Sequence, residues 1–500
     1  MGKKCGARSH VLSENQPKSP PLNPQLATQR ILAMISPFRT SLLAAAFAVA
    51  ITGPESFATN GMNMEGYGPV ASSMGGASFA YDNGIAGVMN NPATLSLQES
   101  AARLDLALGV LGPDVSATSP TGISADSSAT AFFMPAFGYT RRHNDLVYGL
   151  AVFGQGGMGT EYNPNSWLGL GNNLVNRTEV SVGRVILPFA YQVNERLHIG
   201  ATVDFVWAGM DLQMAMTGNQ FFDFVDPTSQ KFGRASGSIV QRFGQIMASL
   251  PPGSGVDYAY FDFTNDNDFT GEARGYGYAG KIGLTYDASE QLTLGLTYHS
   301  RTNLGDLKAP GNSLAFQLNV AGVGPMPQTL SGDFRVNDFE WPAMLGGGFA
   351  FRLSPQWLLV GDLRHVFWAD VMSEFSMTFT ADRAPTNGPF ANQIMDAIHF
   401  QEWSDRTIIQ LGAAYQATDQ WTLRFGFNHG ANPVPNQYLN ALFPAIVETH
   451  FTAGFGYQID DRHSVDVSAT YGVEAKETSG NQVRVGHRQL NAQILYSFLF

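Results

Sequence analysis

Three observations predict an all-β protein, a 14-stranded antiparallel up-and-down transmembrane β-barrel. From about residue 101 onward, apolar and polar residues alternate with period two. Tight turns and long polar links alternate along the same stretch. The chain ends in a strand with aromatics at alternate positions that stops on Phe500. Lipid on one face and a polar or crowded lumen on the other produce this pattern.

The chain begins with a polar, Pro-rich stretch and then a ten-residue apolar run, Leu42–Ile51, after Arg39 and before Ser56-Phe57-Ala58. This order of basic residue, short apolar core and small-x-small site predicts a secretory signal peptide with cleavage after Ala58. Met34 is then the expected start, and residues 1–58 are an extension plus signal. No apolar run reaches the roughly 18 residues a spanning helix needs. The single cysteine, Cys5, falls in the part expected to be removed, so neither a disulfide framework nor a thiolate metal site is available.

Residues 59–100 follow. Thr59–Leu97 is rich in Gly, Asn, Ser and Met, carries only Glu65 and Asp82 as charges, and has no sustained period of 3.6 or 2. Such a stretch cannot bury a core of its own, so it is expected to fold inside the barrel formed by residues 101–500.

Within that barrel, Leu490 to Phe500 places apolar or aromatic side chains at every even position. The stretches 465–473, 451–459 and 421–427 alternate in the same way, and Trp357, Trp421, Tyr457 and Tyr496 suit an interfacial girdle. Turn signals at 141–145, 194–196, 287–291, 354–356, 417–420 and 460–463 separate long links near 117–129, 161–177, 217–270, 303–330, 379–405, 429–446 and 475–484. Six short turns and seven long links join fourteen strands with both ends on the periplasmic side.

Composition excludes several classes. Only 14% of residues are charged, Gly reaches 54 in 500, and net charge is −12. Removing residues 1–58, with six basic and two acidic residues, takes it to about −16. That balance argues against nucleic acid. Acidic outer loops facing lipopolysaccharide-bound cations, or simple loop solubility, both account for it. No G-x-S-x-G, H-E-x-x-H or C-x-x-C occurs, the histidines lack ligand spacing, and no cofactor or metal is expected. Gly275–Gly280 matches G-x-G-x-x-G but sits inside an alternating strand with no helix after it, so its glycines are expected where other backbone approaches closely.

Glu65-Gly66-Tyr67-Gly68, Met74–Ala77 and Asn91-Pro92-Ala93 resemble the N-terminal hatch of the FadL/TodX family. So do Gly112–Val115, Gly159–Tyr162, Gly305–Leu307, Asp333–Val336 and Pro433–Pro435 across the barrel. The resemblance implies a cofactor-independent transporter of hydrophobic molecules (long-chain fatty acids or hydrocarbons) in a Gram-negative outer membrane. It implies a plugged barrel that works as a monomer, with the hatch seated through Asn91, Pro92 and Ala93. The terminal Phe resembles the signal read by the barrel assembly machinery.

Three features point to function. Phe153-Gly154-Gln155-Gly156-Gly157 on the third strand favours a bulge or kink. In the family this strand resembles, such a kink opens the wall for lateral release into lipid; local twist alone is the plainer reading. Phe221, Phe222, Phe224 and Phe232 in one long link, with Leu314, Phe316 and Leu318 in another, suggest either an apolar capture groove or loops packed on one another. Arg301, Arg364 and Arg424 on the lumen face are expected to hold strands and hatch through ion pairs, or to anchor a substrate carboxylate. The competing readings are a structural or adhesive barrel with a fixed plug, and a general porin.

Overall fold

A computed structural model describes residues 61–265 and 270–500. The signal peptide, the start at Met34, Cys5 and the cleavage site lie outside the described residues, as do the first two residues of the expected hatch.

Sixteen strands form one closed circuit. They are β1 (Ala102–Leu111), β2 (Phe132–His143), β3 (Leu146–Tyr162), β4 (Asn176–Gln192), β5 (Leu197–Thr217), β6 (Gly255–Phe263), β7 (Ala273–Asp287) and β8 (Leu292–His299). The remainder are β9 (Leu307–Val320), β10 (Met344–Arg352), β11 (Trp357–Val366), β12 (Arg406–Gln416), β13 (Trp421–Gly430), β14 (Thr449–Gln458), β15 (His463–Thr478) and β16 (Arg484–Leu499). Every pairing is antiparallel, and β16 closes on β1 from Leu499/Arg103 to Ala492/Val110.

The count corrects the fourteen strands expected from the turns. At the outer rim β5 pairs with β6 (Leu212/Phe263 to Thr217/Tyr258), β6 pairs with β9, and β9 meets β7 at Lys308/Arg274. Nearer the turns β5 and β7 pair directly, from Leu197/Tyr286 to Met210/Ala273. The links 217–270 and 303–330 therefore supply strands as well as loops. Their runs of alternating aromatic and β-branched residues, such as Val256-Asp257-Tyr258-Ala259-Tyr260-Phe261, are strand-forming sequence. Beyond the rim the sheet continues through Gly324–Asn337, Glu374–Ala381, Ile394–Phe400 and Gly233–Ser236. Two helices, α1 (Gly218–Val225) and α2 (Ser238–Ser249), cover this extension. A reciprocal Thr217/Gln220 capping box starts α1.

All six expected turns join neighbouring strands at one end of the barrel. Tyr278, Phe205, Leu296 and Phe425 point outward and stay exposed, as a lipid-facing band requires. Trp421 packs on Tyr457 and Trp357 on Tyr415, both at ring-centroid distances of 4.7 Å, beside the turns. The opposite face buries charge in pairs. Asp204 accepts from Arg184 at 2.8 Å and also from Lys281, and Arg424 bonds Asp466 at 2.7 Å. Gly275 and Gly277 of the G-x-G-x-x-G match lie in β7 against the backbone of residues 303–306.

Residues 61–100 are almost entirely buried, and their partners lie all round the ring. The Ile85 amide donates to Asp105 on β1 (2.9 Å), Thr140 on β2 donates to Gln98 (2.6 Å), and Ser96 bonds His198 on β5 (2.8 Å). Gln410 on β12 donates to the Glu65 carbonyl, Asn428 on β13 to the Gly75 carbonyl, and Gln493 on β16 to Ser72.

Candidate functional site

The inner segment sits on a wall stripped of side chains. Asn91 accepts from the Ala93 amide (3.1 Å) and donates to the carbonyls of Phe79 (2.7 Å) and Leu284 (3.1 Å), so it ties three pieces of chain together. Beneath it, Gly200 and Gly283 face each other across the β5–β7 ladder. A side chain on Gly283 would strike Asn91, and one on Gly200 would strike Pro92 and Ala93. A second seat repeats the device: Gly412 and Gly426, paired across β12 and β13, meet Met74 and Gly75. Gly75 has φ +71°, a backbone shape that favours glycine. Asp362 on β11 accepts the backbone amides of Ser78 (2.6 Å) and Phe79 (3.2 Å). These wall glycines and Asp362 as an amide acceptor were not singled out from sequence; glycine inside an alternating strand is the signal that marks the seats.

β3 is where the wall departs from a regular ladder. It pairs with β2 only as far as Val152/Phe137, although β2 continues pairing with β1 as far as Phe132. On its other side the register with β4 shifts between Gly154 and Gly156. Asn63 forms an isolated bridge to Gly156, and the Tyr67 hydroxyl donates to the Gln155 carbonyl. The Gln155 side chain accepts from Arg184, which bonds Asp204. The kink and the inner segment are thus joined through one polar chain. Phe153 faces inward and packs with Tyr67, Ile85 and Val88. Gly66 lies against Gly76 and Ser72, and Gly68 has φ +78°.

A cavity of ≈ 350 Å³ opens beside this kink. Gly154, Gly156, Gly157, Phe132, Met134 and Val182 form its apolar walls, while Glu65, His450 and His487 reach it from the inner segment, β14 and β16. Pro444 and Ala445, in the link that ends at Glu448, close its outer side.

The outer aromatics divide into two groups. Phe221 packs on Phe243 (5.2 Å) and Phe316 (5.1 Å), and Leu314 is fully buried. Phe224 and Phe232 line a second cavity of ≈ 260 Å³ with Trp167, His399 and Tyr438. Phe222 stays exposed and Leu318 is half-buried. The three arginines are also separated. Arg301 lies past the end of β8, exposed and paired with Glu340 (2.8 Å). Arg364 is buried with its guanidinium 5.4 Å from the Phe79 ring centre. Arg424 holds Asp466.

The family model of outer membrane protein transport proteins (OMPP1/FadL/TodX) matches residues 43–495. The chain belongs to that family. A long-chain fatty acid transport protein of Escherichia coli K12 is 25% identical over 457 residues, covering 87% of this chain and 92% of the relative. The P. putida toluene transporter TodX has 27% sequence identity and a TM-score of 0.74, covering 88% of this chain and 99% of that one. The Ralstonia pickettii toluene transporter TbuX gives 27% and 0.69 with the same coverage. As a FadL/TodX-type protein, the chain is an outer-membrane transporter of hydrophobic compounds and not an enzyme.

Two outcomes test the geometry. Gly283→Val forces a branched side chain into Asn91, and overpacking of this kind costs about 1–3 kcal/mol. The thermal midpoint of the folded barrel is expected to fall, with added ion conductance in planar bilayers as Asn91-Pro92-Ala93 leaves its seat. An unchanged midpoint and conductance would contradict the seat. Separately, burial pushes the Glu448 carboxyl in the outer link up to about 9, opposed by the Asn432 amide, reinforced by Glu477 and opposed again by Arg406. The docked link therefore holds a proton that the undocked link, at about 4.5, releases. Its contribution is complete below pH 4.5 and declines as pH rises through about 9. Amide protection factors over residues 431–448, with the intrinsic base-catalysed exchange divided out, are expected to fall across that window, and Glu448→Gln should flatten the fall.

Proposed function

We propose that this protein carries out passive uptake of small hydrophobic molecules, long-chain fatty acids or hydrocarbons, with lateral release through the β3 kink. The observation that carries this reading is the parting of β2 from β3 beyond Phe137/Val152, with a cavity of ≈ 350 Å³ at the gap and the inner segment bridged to Gly156. Ligand would be captured by the outer loops around Phe224 and Phe232, pass inward, and rest beside the kink. Movement of the hatch, residues 59–100, would then free it. Leaving sideways spares an apolar molecule the polar periplasm, and transfer of apolar surface out of water favours lipid by roughly 25 cal/mol per Å². The solute's own gradient and this transfer supply the driving force. Similarity to fatty acid and toluene transporters supports the substrate class without choosing between its branches.

The test is uptake of labelled oleate and labelled toluene by cells expressing or lacking the protein, with Gly154→Trp as the decisive variant. A side chain at Gly154 points at the flexible end of Met134, so a large ring can enter the gap by displacing it. Wild-type cells are expected to take up at least one ligand faster than cells without the protein, and Gly154→Trp to lose about tenfold of that rate, or roughly 1.4 kcal/mol. Full-rate uptake by a folded Gly154→Trp protein would rule out the lateral route. Equal uptake with and without the protein would leave a structural barrel.

A further inference from the structure

The cavity beside β3 carries polar chemistry that an exit for pure hydrocarbon does not need. Among its described lining residues none is Lys or Arg, while Glu65 and Glu179 are both present. Glu179 is paired with Arg177 (3.1 Å), so a carboxylate entering the cavity would be desolvated beside Glu65 with no cation on the wall, an arrangement that disfavours anions. Yet the wall is not wholly apolar either. His450 (1% exposed), His487 (6%) and Glu65 (4%) are buried in it. Both ring nitrogens of His450, Nε2 of His487 and Oε1 of Glu65 have no hydrogen-bond partner among the described residues. Each such group costs free energy until something bonds it.

Backbone register brings these groups together. His450 on β14 lies opposite Gly472 on β15, and Gly472 lies opposite Gln489 on β16. Because Gly472 has no side chain, His450 packs over it towards Gln489, two residues from His487 on the same face of β16. The Pro444 carbonyl then fixes the chemistry of His487. A carbonyl only accepts, so the 2.7 Å bond makes Nδ1 the donor. In the uncharged ring Nε2 is left as a bare acceptor. The uncharged His450 ring offers one donor and one acceptor. The free groups therefore include a donor on His450 and an acceptor on His487, and a hydroxyl, which both gives and takes a hydrogen bond, meets that pair.

Resting on the reading of this cavity as a ligand station, we propose that it selects an uncharged hydrophobe ending in a hydroxyl, such as a medium-chain alkanol or a phenol. His487 Nε2 accepts the hydroxyl proton, and a ring N–H of His450 donates to the hydroxyl oxygen. The chain or ring of the ligand lies along the glycines of β3 and Phe132.

Equilibrium binding of labelled decan-1-ol, decane and decanoate to the protein in lipid nanodiscs, with protein-free discs subtracted, separates the outcomes. Decan-1-ol is expected to bind about tenfold tighter than decane and at least about tenfold tighter than decanoate, the scale of one or two hydrogen bonds in a dry site. His487→Phe should bring decan-1-ol to the level of decane while leaving decane unchanged, which also reports that the variant is folded. His487→Gln, which keeps an acceptor, should recover part of the difference. Decanoate binding as tightly as decan-1-ol, or an alcohol-to-alkane ratio untouched by His487→Phe, would overturn the selection and leave the transport reading standing. No binding of any of the three above protein-free discs would overturn the ligand station itself.

Discussion

A sheet crossing a bilayer must satisfy every backbone N–H and C=O from within the protein, because the hydrocarbon interior offers no partner and each unpaired group costs several kcal/mol. Closure of β16 on β1 answers that constraint for most of this ring. β3 is the exception. Past Val152 it abandons β2, and the freed backbone is met from inside, by Asn63 at Gly156 and by the Tyr67 hydroxyl at the Gln155 carbonyl. Further along the same strand, Ser127 bridges Tyr162 and the Ser128 amide donates to the Glu161 carbonyl (2.8 Å).

The inner segment has its own constraint: irregular backbone, rich in polar atoms, packed where water is scarce. It is solved by bringing backbone to backbone. Paired glycines on adjacent strands, Gly200/Gly283 and Gly412/Gly426, let Pro92 and Met74 approach the wall as no larger residue would permit. Wall side chains then supply the missing bonds: Asp362 to two amides, Gln410 and Asn428 to two carbonyls. Buried ions obey the same rule. Asp204 faces both Arg184 and Lys281, so no charge stands alone in that network.

Much of this was legible in sequence because the signals were local. Period-two alternation gave the faces, turn residues gave the six joins, and the four glycines between Gly154 and Gly159 marked the break in β3. The strand count failed for a physical reason. Counting turns finds only strands that reach a turn, whereas β6 and β9 join the ring from within long links, through pairing between residues some 50 apart in sequence. The site was harder still. Nothing adjacent to His487 in sequence reveals that Pro444 fixes its tautomer, and Phe221 looks as available for capture as Phe224 until the fold buries it against Phe243 and Phe316.

A passive channel has to release its cargo as well as hold it, so a station can exceed the membrane in affinity by only a modest margin. The cavity beside β3 is walled largely by glycines and apolar side chains. Glycines offer fewer atoms for dispersion contact than a close-packed core supplies. His487 and His450 stand beside the Pro444 and Ala445 side of this cavity. The buried charges of Asp204, Arg184 and Lys281 elsewhere in the lumen already answer one another. The lumen thus holds two kinds of buried polar group: ions that answer one another around Asp204 and, beside β3, histidine nitrogens that no described residue bonds.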